Sequence, residues 1–108
     1  MSEINLTDNN FEAEVLKSTV PVLIDFFAVW CGPCQMLGPI VDELAKELAD
    51  KQVKIAKLDV DQAPQTAEKY GVMSVPTLII FNQGKEIERM IGVQSKEALR
   101  EKLEKIVK

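Results

Sequence analysis

The chain has 108 residues, a formal net charge of −4, a pI near 4.8, two cysteines and no histidine. That length suits one domain, expected over residues 1–108 with its own core, and the acidic balance argues against nucleic acid as the partner. No apolar run is long enough to span a bilayer, and Met1-Ser2-Glu3-Ile4-Asn5 does not begin a secretory signal, so two cysteines here fit a reducing, cytoplasmic setting.

The elements follow from periodicity and punctuation. Glu3–Leu6 reads as a short first strand. Thr7 or Asp8 is expected to cap a helix over Asn10–Lys17 whose inner face carries Phe11 and Val15. Val22–Ala28 is apolar at every position but Asp25, the pattern of a central strand covered on both faces. A helix should run from Cys31 to about Leu48, with Leu37, Ile40, Val41, Leu44 and Leu48 on one stripe. Val53–Val60 reads as another buried strand, and Ala63–Tyr70 as a short helix closed by Gly71.

The second half changes character. Thr77–Phe81 and Glu86–Ile91 form a hairpin, with Gly84 supplying the positive φ in the loop Asn82–Lys85. Ser95 caps a last helix that faces Leu99, Leu103 and Ile106 inward. The order βαβαβ followed by αββα predicts an α/β fold: a mixed five-stranded sheet with helices on both faces.

The chemistry concentrates in Trp30-Cys31-Gly32-Pro33-Cys34, between the central strand and the long helix. Cysteines at i and i+3 share the first helical turn, and a C-x-x-C beside a βαβ pattern reads as a redox pair. Disulfide exchange needs a thiolate, and the unpaired N–H groups and dipole of a helix start lower the pKa of Cys31. Hydrogen bonds from Cys34 to that sulfur act in the same direction. Pro33 suits the first helical turn and stiffens the loop; Gly32 keeps the approach to Cys31 open. Both intervening residues act as a lever on redox potential. Two plainer readings stand beside this one. A structural disulfide would close a loop of only four residues, for about 2 kcal/mol. A zinc half-site would need ligands from a second copy or from carboxylates.

These residues, with Asp25, Lys57, Val75-Pro76-Thr77 and Gly92, resemble the thioredoxin family over essentially the whole chain. The resemblance implies a monomeric thiol–disulfide oxidoreductase that reduces disulfides of substrate proteins. It implies no bound cofactor: the Cys31–Cys34 pair is the redox group, recharged by a thioredoxin reductase that draws on NADPH. No Gly-rich phosphate loop is present. It further implies that Cys31 attacks, that Cys34 resolves, and that Asp25 takes the proton of Cys34. It also implies a cis Val75–Pro76 bond and a substrate rim of Trp30, Val60, Ser74, Val75, Pro76, Ile91 and Gly92.

Read from the residues alone, some of these positions have ordinary explanations. Asp25, buried alone, should have a raised pKa, or it is a solvated aspartate at a strand end. Lys57 either pairs with Asp25 or reaches solvent past its strand. Gly92 also suits a bulge or a close approach. Phe27, Val29 and Gln35 depart from the residues usual in the family, where tryptophan, an acidic residue or proline, and a basic residue are common. With no histidine beside the sulfurs, Gly-Pro between them points to a reductant. An oxidant or isomerase on the same fold, and a binding module with incidental thiols, are the rival functions.

Overall fold

The structure is a computed structural model and describes residues 3–107. Among these residues the sheet has five strands: β1 (Ile4–Leu6), β2 (Val22–Phe27), β3 (Lys54–Asp59), β4 (Thr77–Asn82) and β5 (Lys85–Ile91). They lie in the order β1-β3-β2-β4-β5. β3 runs parallel to both β1 and β2, while β4 is antiparallel to β2 and to β5. The sheet is mixed, as its element order predicts. Right-handed crossovers supply the parallel half and a tight turn supplies the antiparallel half.

The apolar runs of β2 and β4 are buried because each of those strands has a neighbour on both sides and helices over both faces. On one face, Leu23, Ile55, Leu78 and Ile80 pack against Leu37, Val41 and Leu44 of α1 (Gly32–Glu47) and Leu99 and Leu103 of α3 (Lys96–Ile106). On the other, Ile24, Phe26, Leu58 and Phe81 pack against Phe11, Val15 and Ala63, close to α2 (Pro64–Lys69). Phe11, Tyr70 and Phe81 form an aromatic trio there, with ring centroids 5.2–5.7 Å apart.

Three local expectations are corrected. The first helix is not a regular one over Asn10–Lys17. A turn stabilised by Thr7, whose Oγ1 accepts from the N–H groups of Asn9 and Asn10, leads into a π-helical segment, Glu12–Leu16. The Lys17 N–H reaches the Glu12 carbonyl, an i to i−5 bond, and Phe11 and Val15 are both buried.

Asp8 does not cap that segment. Its carboxylate instead accepts from the Thr66 N–H and hydroxyl at 2.8 and 2.7 Å and from the Gln65 N–H at 3.3 Å. It therefore caps α2, whose own N-cap residue, Ala63, has no side-chain oxygen to do so.

The hairpin turn is also tighter than a four-residue loop. Asn82 and Lys85 are paired, leaving Gln83 and Gly84 as a two-residue turn with φ of +57° and +78°. That matches the type I′ geometry whose twist suits antiparallel strands.

Candidate active site

The site is built where β2 ends and α1 begins. Cys31 is the N-cap of α1, with extended φ and ψ of −94° and 116°, and Pro33 lies in the first turn. The Cys34 N–H donates to the Cys31 sulfur at 3.1 Å, so the sulfur serves as the capping acceptor that a serine or aspartate oxygen usually provides. Cys31 and Cys34 are joined as a disulfide with Cα atoms 5.2 Å apart. Both residues are buried, at 4% and 5% exposure, so the oxidised state offers little sulfur surface. Gly32 and Pro33 are exposed, and a Cβ added at Gly32 would meet nothing within 4 Å.

The loop Ser74-Val75-Pro76 lies against the disulfide. The Val75–Pro76 bond is cis, and the Val75 carbonyl oxygen is 3.7 Å from the Cys31 sulfur. Phe27, Val60 and Val75 pack around Ala28 and the two cysteines. The Gly92 N–H donates to the Pro76 carbonyl at 2.9 Å, which ties the end of β5 to this loop. Gly92 has a φ of +95°, so its place there is a backbone requirement. Trp30 and Ile91 are exposed, Ser74 is exposed and Pro76 is buried. Trp30 donates its indole N–H to Asp61 at 2.8 Å, beside Val60. The residues predicted for the rim thus come from the β2–α1 junction, the end of β3, the Pro76 loop and the end of β5.

Asp25 lies on β2, the strand that leads into the cysteine pair, two residues on from Leu23 and so on the α1 side of the sheet. It is 1% exposed, and neither carboxylate oxygen has a hydrogen-bond partner among the described residues. Burial pushes its pKa up to about 6; the Lys57 ammonium opposes that shift and the Asp42 carboxylate reinforces it.

Lys57 is its register partner on β3. No ion pair joins them. The ammonium instead stands over the Phe27 ring at 5.1 Å, and a Cβ added at Gly38 would come to 4.0 Å from it. Lys57 is an electrostatic neighbour of Asp25, and of the two readings open from the sequence the direct ion pair is not the one formed. The three departures from the family pattern lie here too. Phe27 carries the ammonium, Val29 is exposed, and Gln35 donates its side-chain amide to the Val29 carbonyl at 3.4 Å.

Beside Cys34 opens a groove of about 380 Å³, lined by Phe27, Ala28, Val29, Gln35, Gly38, Pro39, Asp42 and Lys57 as well as the cysteine. It gives the buried end of the site a route toward solvent. Among the described residues, no group of three or more His, Cys, Asp or Glu side chains could hold a metal ion.

Four residues near the site escape sequence reasoning. Asp61 is reached only through the fold, which brings it to Trp30. Met73, at 95% exposure, adjoins the Pro76 loop; a methionine without a helical or strand pattern around it gave no signal. Asp42 and Glu3 need the register of β1 and α1 to be placed near Asp25.

Two sulfurs three residues apart, bonded to each other at the start of a helix, can open and close by exchange with another disulfide, and the class so defined is a thiol–disulfide oxidoreductase whose redox group is its own cysteine pair. The family model described as Thioredoxin matches residues 2–105. The chain is 50% identical over 95 residues to the thioredoxin of Rickettsia prowazekii, covering 88% of this chain and 90% of that protein. It is 46% identical over 100 residues to thioredoxin 1 of Synechococcus elongatus, covering 93% and 92% of the two chains. It is 48% identical over 98 residues to thioredoxin 2 of Chlorobaculum tepidum, covering 91% and 89%. The chain belongs to the thioredoxin family.

Proposed function

We propose that the chain works as a protein-disulfide reductase in which Cys31 attacks and Cys34 resolves. The Cys31 thiolate attacks one sulfur of a substrate disulfide. A mixed disulfide forms, the substrate S–S bond breaks, and the departing thiolate takes a proton from water. Cys34 then gives its proton to Asp25, and its sulfur attacks Cys31. The Cys31–Cys34 bond forms, the mixed disulfide breaks, and the second substrate sulfur leaves and is protonated. Two electrons pass from the cysteine pair to the substrate.

One observation carries this assignment of roles: the Cys34 N–H donates to the Cys31 sulfur at a helix start. The same N–H and the dipole behind it stabilise negative charge on Cys31 and not on Cys34. The burial of Asp25 on β2, with no hydrogen-bond partner among the described residues, supports its role as proton acceptor. The Gly32-Pro33 pair and the absence of histidine support the reducing direction.

The rim of Trp30, Val60, Ser74, Val75, Pro76, Ile91 and Gly92 would receive an extended substrate segment, which adds to the Val75 backbone like a strand. A cytoplasmic thioredoxin reductase using NADPH would restore the dithiol, making the chain an electron carrier. The relatives' shared name supports this reading.

Dithiothreitol-driven reduction of insulin tests the roles. Cys31→Ser should abolish turnover, and Cys34→Ser should trap a mixed disulfide visible on a non-reducing gel. A mixed disulfide trapped by Cys31→Ser and not by Cys34→Ser would overturn the assignment. Equilibration with glutathione tests the direction: a reductant stays oxidised in buffers that reduce an oxidant or isomerase.

A further inference from the structure

A base that receives a proton in each cycle must not be locked into an ion pair. A direct salt bridge to Lys57 would hold the Asp25 carboxylate ionised and make it a weak base. The two residues share a register, so the pairing is sterically near at hand, yet it is not made. The ammonium stands over the Phe27 ring, in the groove that Asp42 also lines. Cys34, Gly38 and Asp42 follow one another at four-residue intervals along α1, a stripe on one face of the helix. Gly38 leaves room for the Lys57 ammonium, and Asp42 lines the same groove one turn further on.

Behind Asp42 stands Glu3. It precedes β1, which pairs with β3 so that Asn5 lies opposite Lys57, and Glu3 shares the face of Asn5 by alternation. Glu3 is half-buried, and one of its oxygens is inaccessible and, among the described residues, unpartnered. Burial first, then a hydrogen bond and charge repulsion from Asp42, push its pKa up to about 7; Lys57 opposes this and Asp25 adds to it.

We propose that Asp42, with Glu3 behind it, competes with Asp25 for the ammonium of Lys57 and so keeps the Asp25 carboxylate basic enough to accept the proton of Cys34. Asp42 and Glu3 are positioning residues: they touch neither sulfur and act through Lys57, and Asp42 acts also by its like charge on Asp25. The charged groups facing the pair are Lys57 on β3 and Asp25 on β2, and both enter the balance. This inference rests on Asp25 as the proton acceptor.

The test is a carboxyl ¹³C NMR titration of Asp25 in the oxidised full chain, run beside the pH profile of insulin reduction. Asp42→Asn should move the Asp25 midpoint down by roughly half to one pH unit, the effect of one like charge removed at short range. The acid limb of the rate profile should follow it. Glu3→Gln, at a strand edge where folding is not at risk, should move both in the same direction by less. Asp42→Glu should restore the parent midpoint. Unchanged midpoints in Asp42→Asn and Glu3→Gln would overturn the inference while leaving Asp25 as the acceptor. An Asp25→Asn variant with the parent's rate profile would overturn both.

Discussion

Asp25 and Lys57 face each other across β2 and β3 without forming an ion pair, and the carboxylate has no hydrogen-bond partner among the described residues. A buried charge left in that state is destabilising unless it is neutralised. Its retention in the central strand is a cost to the fold that the proposed chemistry accounts for.

The pH dependence of stability should reveal that cost. The folded-state pKa of Asp25, about 6, lies above the ordinary 3.8, so folding takes up a proton between those values. The favourable contribution of the protonated form is fully present below pH 3.8 and is lost as pH rises through 6. Asp25→Asn removes this dependence. The stability of the variant relative to the parent should therefore rise by roughly 2–3 kcal/mol between pH 4 and pH 8. Urea denaturation of the oxidised forms across that range measures it; a gap independent of pH would refute it.

Two glycines should respond oppositely to alanine. At Gly32 the added Cβ points into open space, and the residue has no positive φ. Gly32→Ala should stabilise by about 0.4–1 kcal/mol, by narrowing the unfolded ensemble. At Gly84, φ is +78° and the Cβ would meet the Leu16 carbonyl oxygen at 3.0 Å. Gly84→Ala should destabilise by about 1–3 kcal/mol. Thermal or urea denaturation of both variants decides the sign of each.

Removing the cap supplied from outside α2 should loosen that helix. Asp8→Ala leaves the Thr66 and Gln65 N–H groups without their carboxylate. The hydrogen bonds from Thr66 hold the Asp8 carboxyl below its ordinary 3.8. Its contribution is thus present above pH 3.8 and lost as pH falls through the lower folded value. The variant should be less stable than the parent at pH 7, and the two should converge in acid. Faster amide exchange in Pro64–Lys69 at neutral pH would locate the effect; unchanged exchange there would count against it.

Trp30 is the chain's single tryptophan, and its indole is held by Asp61 at the rim of the disulfide. Asp61→Ala should alter its emission and increase quenching by acrylamide. The difference between oxidised and reduced spectra should change with it. Spectra identical to the parent's in both redox states would show that the hydrogen bond is not held in solution.

Legibility divides along the range of the interactions involved. The apolar runs of β2 and β4, the stripe of α1 and the Ser95 cap, whose Oγ accepts from the Ala98 N–H at 3.0 Å, are local and could be read directly. So could the C-x-x-C pair and the anomaly of Asp25 inside an apolar strand. The π-helical segment could not, because an i to i−5 bond leaves no distinct apolar period to count. Gln83 could not, because its positive φ follows from the two-residue turn and not from its side chain. Asp8 bonds residues 57 and 58 positions away, and the placing of Glu3 near Asp42 depends on β1 lying beside β3. Those contacts exist only once the sheet is assembled.

The two residues between the sulfurs face water, and neither belongs to the packed interior. Their replacement alters the surroundings of the disulfide without asking any core side chain to move. Electron affinity and architecture are thereby separable in this chain. A lineage, or an engineer, can explore new oxidising strengths at positions 32 and 33 while inheriting the same scaffold intact.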